Sequence, residues 1–305
     1  MKYRIGTRGS ALALWQANYV LEKLKKHGLD AELVIIQTKG DKIQDIALSK
    51  IGSKGVFTQE LEQALRNKEI DLAVHSAKDV PTNISEDLPI IAFTERECPA
   101  DVLVSHKNVN LERDELVIGT SSTRRAAFLK RYYPQHKVAE VRGNVQTRIK
   151  KLEQGQFDAL LMAFAGIHRL GYDSYIQSIL PIEQFVPAAG QGALAIQMLA
   201  SHPDQELLKK ILHHTDTGIC VQAERLILQQ LGGGCSVPIF AYAQYQKGEI
   251  FLQAGIISLE GKNMAYAQSK TTLDKLEYTI LNLVENILHT QKGTKILEKV
   301  KNNNF

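Results

Sequence analysis

The feature that most constrains this chain is an alternation. Through its first half, short apolar runs with strand character take turns with amphipathic runs of helical period, the pattern of an α/β fold. Tyr3–Thr7 reads as a strand. Ser10 can cap a helix that carries Leu12, Trp15, Tyr19, Leu21 and Leu24 on or near its apolar face. Glu32–Thr38, Asp71–His75 and Pro89–Thr94 read as further strands, with a helix around Thr58–Arg66. Val117–Thr120 opens a second unit, followed by helix Arg124–Tyr132, strand Val138–Val141, helix Val145–Gln154 and strand Ala159–Ala163. The two units echo each other. Ile5-Gly6-Thr7 and Ile118-Gly119-Thr120 both precede a polar turn and a helix, and Asp71-Leu72-Ala73-Val74 resembles Asp158-Ala159-Leu160-Leu161. Echoes this short also arise by chance, so duplication and coincidence both stand. Duplication would suit two similar lobes facing each other across a cleft.

At roughly 150 residues per domain, 305 residues make about two domains. The tail argues for a third. After Pro187-Ala188-Ala189-Gly190-Gln191-Gly192 comes a strand at Ala193–Met198, then a helix near Asp216–Gln230. Segments near Val237–Tyr245, Glu249–Ser258 and Lys262–Ser269 alternate like strands, and a helix near Thr272–His289 follows. Together these read as a small α+β domain. Hydrophobic residues at 44% and charged residues at 23% exclude a disordered, collagen-like or coiled-coil chain.

Net charge is +4, which is bland, but its distribution is not. Between Thr120 and Leu170 ten Lys/Arg face three acids, a net +7, so the rest of the chain carries −3. A middle segment of that kind is built to meet anions. The start, MKYRIGTRGS, has no apolar core of signal-peptide length, and the longest apolar run, Ala159–Ile167, is too short to span a bilayer. The expected compartment is the cytoplasm. Cys98, Cys220 and Cys235 form no CxxC and no paired Cys/His ligand spacing, so no metal site is expected.

Several constellations carry chemistry. Ser121, Ser122 and Thr123 sit between a strand and a helix, where free N–H groups and the helix dipole favour an anion. Arg124 and Arg125 in the first turn oppose that dipole and need either solvent or an anionic partner. Arg8, Gly9 and Ser10 repeat the arrangement in the first unit. Arg142, Arg148 and Arg169 also follow expected strands, and open α/β sheets bind ligands beyond the carboxyl ends of their strands. Guanidinium forks suit carboxylate or phosphate. Asp79, in His75-Ser76-Ala77-Lys78-Asp79-Val80-Pro81, is either a turn aspartate or a positioned carboxylate for proton transfer, with Lys78 beside it for an anion. Gly232-Gly233-Gly234-Cys235 presents either an inert cysteine after a helix end or an accessible, alkylatable thiol. Residues 39–57 hold three Gly and four Lys with no clear period, a loop length that is usually functional or mobile.

These segments resemble the porphobilinogen deaminase family, also called hydroxymethylbilane synthases, over nearly the full chain. The matches are TRGSALALWQ (7–16), KGVFTQELE (54–62), DLAVHSAKDVP (71–81), VIGTSSTRR (117–125), VRGNVQTR (141–148), AGIHRLG (165–171), PAAGQGALAI (187–196), HHT (213–215) and GGGCSVPI (232–239). The resemblance implies two α/β lobes like type II periplasmic-binding proteins plus a small C-terminal α+β domain. The implied domains are 1–94 with 193–212, 99–188, and 215–305. It implies head-to-tail condensation of four porphobilinogens, with loss of ammonia, into hydroxymethylbilane. It implies a dipyrromethane cofactor on a thioether to Cys235, and Asp79 as the catalytic residue.

Carried over by position, Arg8, Ser10, Lys78, Thr120, Ser122, Arg124, Arg125, Arg142, Arg148 and Arg169 would bind acetate and propionate groups of cofactor and substrate. Gln191 would contact the growing site. Lys54 and Phe57 belong to the long loop, which in the family covers the cleft. Gly9 and Ala11 stand where Gln and Pro are frequent, and His168 where Lys is frequent. The implied partner is porphobilinogen, with a monomer and with no nucleic acid or membrane. Two other readings compete. A non-catalytic two-lobed receptor for a polyanion leaves Asp79 and the GGGC run unexplained. A nucleic-acid module needs stacking aromatics among the basic residues, where the chain offers mainly Phe128, Tyr132 and Tyr133.

Overall fold

The echo between the two halves extends to individual hydrogen bonds. A computed structural model describes residues 2–38, 58–232, 237–291 and 293–302. In lobe 1, β1 (Lys2–Thr7), β2 (Asp30–Ile35), β3 (Leu72–Ser76), β4 (Ile90–Phe93) and β10 (Leu194–Gln197) form a sheet in the order β2-β1-β3-β10-β4. In lobe 2, β5 (Asp101–Val104), β6 (Val117–Gly119), β7 (Lys137–Ala139), β8 (Ala159–Ala163) and β9 (Ile176–Ile179) follow the order β7-β6-β8-β5-β9. In each sheet the three strands at one end run parallel, and the fourth runs antiparallel to the third.

Asp71 and Asp158 hold equivalent positions. Asp71 Oδ2 accepts from Arg4 N at 2.8 Å, and Asp158 Oδ2 accepts from Val117 N at 2.8 Å. Gly6 and Gly119 are equally matched. A Cβ would lie 2.2 Å from Ile70 Cδ1 at the first and 2.6 Å from Leu160 Cδ2 at the second. Agreement in strand order, register and clamp favours duplication over coincidence.

The helices follow their local signals. Ser10 caps α1 (Ala11–Lys26), accepting from Ala13 N, and Ser122 caps α3 (Thr123–Tyr132), accepting from Arg125 N. Asn144 caps α4 (Val145–Glu153) in the same way. Helix α2 (Gln59–Arg66) packs Leu61 and Leu65 over β3, α5 (Phe164–Arg169) follows β8, and α6 (Gln205–Leu212) returns to the core of lobe 1.

The chain crosses between lobes twice, from β4 to β5 and from β9 to β10. The crossings run side by side: Thr94 N donates to Leu194 O at 3.1 Å and Gln191 Nε2 to Pro99 O at 2.6 Å. Beyond them, β11 (Ile239–Gln246), β12 (Glu249–Ile257) and β13 (Met264–Thr271) make an antiparallel meander. One face is covered by α7 (Thr215–Gln230), α8 (Leu276–Glu285) and α9 (Gly293–Asn302). Phe240 and Ile257 join the core of lobe 2 instead, with the Phe240 and Phe128 rings 5.0 Å apart.

The departures from sequence expectation have local causes. Strand β2 stops at Ile35, not Thr38, because its partner β1 ends at Thr7 and Ile36 N closes the ladder on Thr7 O. Strand β13 begins at Met264, not Lys262, because Ser258 N bonds Asn263 O and a turn occupies the residues between. The expected helix Thr272–His289 divides into a 3-10 turn at Leu273–Lys275, α8, and a π-helical turn at Asn286–Thr290. Strands β5 and β9, four residues each, escaped the sequence reading because each is defined by its long-range partners, β5 by β8 and β9 and β9 by β5.

Candidate active site

Strand β3 ends in a 3-10 turn, Ala77–Asp79, that presents Lys78 and Asp79 to solvent on the side of lobe 1 facing lobe 2. Protein nevertheless surrounds Lys78 on enough sides that desolvation pushes its ammonium down to about 8, with Asp79 opposing the shift. Arg125, Asp101 and Arg124 of lobe 2 also act on that ammonium, so the turn and the start of α3 share one field.

On lobe 2, Asp101 is fully buried between two guanidinium groups. Arg125 Nε donates to Asp101 Oδ1 at 2.9 Å, and Arg124 Nη1 lies 2.8 Å from Oδ2 as an ion pair. Burial alone would raise the Asp101 carboxyl, but the two guanidinium groups override it and hold it well below the carboxylate range. The partner that Arg124 and Arg125 required is therefore in the first place a carboxylate of the protein itself. Both arginines are buried, not solvated, and one carboxylate leaves a positive charge over. Arg124 also donates to Val186 O at 2.7 Å and Arg125 to Leu161 O at 3.2 Å, which fixes both forks.

Gln191, expected to touch the growing site, is buried in the crossing. It accepts from Arg125 Nη2 at 3.2 Å and donates to Asp101 Oδ1 at 2.9 Å. The Thr120 hydroxyl accepts from Ser122 N at 3.2 Å, so it orders the turn before α3. Ser10 and Ser122 serve as helix caps.

Arg148 enters from α4 with Nε on Gly143 O at 2.8 Å. Desolvation lowers its guanidinium to about 10, with Arg125 adding to the shift and Asp79 opposing it. Arg142 pairs with Glu140. Arg169 sits over the Trp15 ring of lobe 1 at 5.1 Å and donates to Gly192 O at 2.6 Å, while its Nε is buried without a hydrogen-bond partner. Arg8 is half-buried at the end of β1, close enough to act on His75. His75 is a packed strand residue, pushed down to about 4 by desolvation. His168, next to Arg169, bonds Asp173 on the exposed side. Lys54, Phe57 and Cys235 lie outside the described residues.

Sequence reasoning missed Asp101, Arg96, Glu224 and Arg225. Glu224 is fully buried on α7, accepting from Arg96 Nη1 at 2.6 Å, Gly190 N at 2.7 Å and Ala243 N at 2.8 Å. The adjacent charged pair Glu224-Arg225 inside an otherwise apolar helical run was the available signal.

A family model described as "Porphobilinogen deaminase, dipyromethane cofactor binding domain" matches residues 3–208. The chain belongs to the porphobilinogen deaminase family. A second model, "Porphobilinogen deaminase, C-terminal domain", matches residues 218–288. A porphobilinogen deaminase of Cytophaga hutchinsonii is 48% identical over 303 residues, covering 98% of this chain and 96% of that one. One from Desulfosudis oleivorans is 45% identical over 271 residues, covering 87% of each. Among solved structures, an ABC-transporter periplasmic substrate-binding protein from Coxiella burnetii aligns at 13% identity and a TM-score of 0.43, over 70% of this chain and 92% of that one.

The residues present fit the carboxylate-rich cofactor that the deaminase family implies. Lys78, Arg124, Arg125 and Arg148 are four cations set against two carboxylates, Asp79 and Asp101, and the buried Arg169 Nε awaits an acceptor.

Proposed function

We propose that this chain is a hydroxymethylbilane synthase. It joins four porphobilinogens head to tail, releases four ammonia, and yields hydroxymethylbilane for tetrapyrrole (haem) biosynthesis. The observation that carries the reading is the convergence of unbalanced cations from lobe 2 on the Lys78–Asp79 turn of lobe 1. Each porphobilinogen brings two carboxylates, and burying them without partners is prohibitive. A cleft with surplus positive charge beside the exposed Asp79 carboxylate suits that load.

When bound through a thioether to Cys235, the dipyrromethane supplies the pyrrole terminus to which incoming units are joined. Lys78, Arg8, Arg142, Arg148 and Arg169 bind acetate and propionate groups, and Arg124 and Arg125 add the charge that Asp101 leaves over. Ser10, Thr120 and Ser122 order the turns that carry these side chains, and Gln191 holds Arg125 and Asp101 in register. Asp79 balances positive charge on a pyrrole nitrogen as the protonated amine leaves as ammonia, and its carboxylate accepts the proton lost from the α-carbon where the new C–C bond forms and passes it to solvent. By the family resemblance, Lys54 and Phe57 are assigned to the active-site loop. The working division is 1–94 with 193–212, 99–188, and 215–305. The protein acts as a cytoplasmic monomer, without nucleic acid or membrane. No described helix is long and apolar enough to cross a bilayer.

Intact-protein mass measurement tests this. The wild type should carry an adduct the size of two pyrrole units, and Cys235→Ser should lack it. An active wild type without an adduct sinks the cofactor assignment. Asp79→Asn should keep the adduct and lose nearly all turnover of porphobilinogen, and near-normal turnover would remove Asp79 from its role.

A further inference from the structure

Arg225 differs from the arginines of the cleft. Its guanidinium donates to three successive carbonyl oxygens, Val80 O at 3.2 Å, Pro81 O at 2.6 Å and Thr82 O at 3.2 Å. Among the described residues no carboxylate pairs with it. A desolvated cation spent on neutral acceptors is costly unless the conformation it holds matters. Those three carbonyls belong to the segment that leaves Asp79.

The other flank of the same turn is held by the preceding residue of α7. Glu224 takes the N–H of Gly190, and Gly190 packs so closely that a Cβ there would lie 3.0 Å from Ala77 C and 3.1 Å from Lys78 N. Neighbouring residues of one helix thus grip the Lys78–Asp79 turn from both sides. Beyond Arg225, α7 runs on to Gln230 and the chain then leads to Cys235.

We propose that Arg225 is a positioning residue that fixes the Asp79 carboxylate by holding the backbone of Val80, Pro81 and Thr82 that follows it. The proposal rests on the assignment of Asp79 made above. It differs from simple domain docking in what it predicts for kinetics, because the carboxylate-binding arginines of lobe 2 do not touch Arg225.

Arg225→Met keeps the stem and removes every donor. It should lower kcat by about tenfold to a hundredfold, the order expected for an ångström of misplacement. KM for porphobilinogen should stay within about twofold, since uniform binding is untouched. The two-pyrrole adduct should be present in full. Arg225→Lys, which restores one or two of the bonds, should recover about threefold or more of the lost kcat. A kcat within about twofold of the parent in Arg225→Met overturns the proposal, as does a loss that merely follows loss of adduct. If Arg225→Met does not fold, Arg225→Gln, which cannot span all three carbonyls, decides in its place: kcat lowered at least about tenfold at unchanged KM upholds the proposal, and kcat within about tenfold of the parent overturns it. Asp79→Asn run alongside separates the two levels. Turnover retained there removes the Asp79 assignment, and the positioning role falls with it. Turnover lost there but kept in Arg225→Met overturns the positioning role only.

Discussion

Replacing Glu224 by Gln tests the joint between the C-terminal unit and the two crossings. The carboxylate is fully buried and accepts from Arg96 Nη1 and Nη2 at 2.6 and 3.2 Å, from Gly190 N at 2.7 Å and from Ala243 N at 2.8 Å. Every one of its neighbours is a donor. A Gln amide offers one acceptor oxygen and turns its NH2 toward N–H groups, so two bonds become repulsive contacts. Arg96, only 11% exposed, would be left as a buried cation without an anion. Removing one partner of such a pair costs about 3–5 kcal/mol. At about 2–4 °C per kcal/mol, that is a fall of about 6–20 °C in the transition that includes the C-terminal unit. Differential scanning calorimetry and urea unfolding measure it. Glu32→Gln is the control, because the Lys2–Glu32 pair is half exposed on both sides and should leave the midpoint where it was. A midpoint in Glu224→Gln within about 2 °C of the parent would refute the reasoning, because a pair worth that little is not a desolvated one.

Three further outcomes follow from the geometry. Lys78 is pushed down to about 8 from an ordinary 10.5, so KM for porphobilinogen should climb as pH rises through about 8 and the ammonium is lost. Lys78→Arg, charged throughout, should flatten that climb, and an identical pH profile would exclude Lys78 from carboxylate binding. The same shift has the opposite sign for stability. The unfolded chain holds this proton up to about 10.5, so the contribution of Lys78 to folding improves between about 8 and 10.5. Gly190→Ala should cost about 1–3 kcal/mol and lower kcat, since φ is +75° and the new Cβ would press on Ala77 and Lys78. Unchanged stability and rate would mean that the turn yields freely. Cys220 is buried with its thiol pushed up to about 11 by desolvation, so iodoacetamide at pH 8 should leave it unlabelled in the native protein while half-buried Cys98 reacts. Prompt labelling of Cys220 would show that α7 opens.

Much of the fold was readable because its elements carry local signals. Ser10, Ser122 and Asn144 stand at the caps they suggest, and the five-residue strand Ala159–Ala163 falls on its expected bounds. Elements set by a partner were not readable. Strand β2 ends where β1 ends, and β5 exists because β8 and β9 flank it. The site divides the same way. Arginines after strands could be collected from sequence as a group that wants anions. That Arg124 and Arg125 already share Asp101 depends on β5 lying beside β8, a long-range pairing with no trace in the local pattern. Gln191 shows the same limit: its neighbours are fixed by the second crossing folding back along the first.

The contact of Arg169 with Trp15 has an optical consequence. The chain contains one tryptophan, and it lies on α1 of lobe 1 beneath a guanidinium carried by lobe 2, stacked on Tyr19 at 5.8 Å. Any hinge motion that parts the lobes uncovers that indole and exchanges a cation for water. Its emission is therefore a built-in gauge of lobe separation, readable turnover by turnover in the unlabelled protein without a second fluorophore to unmix.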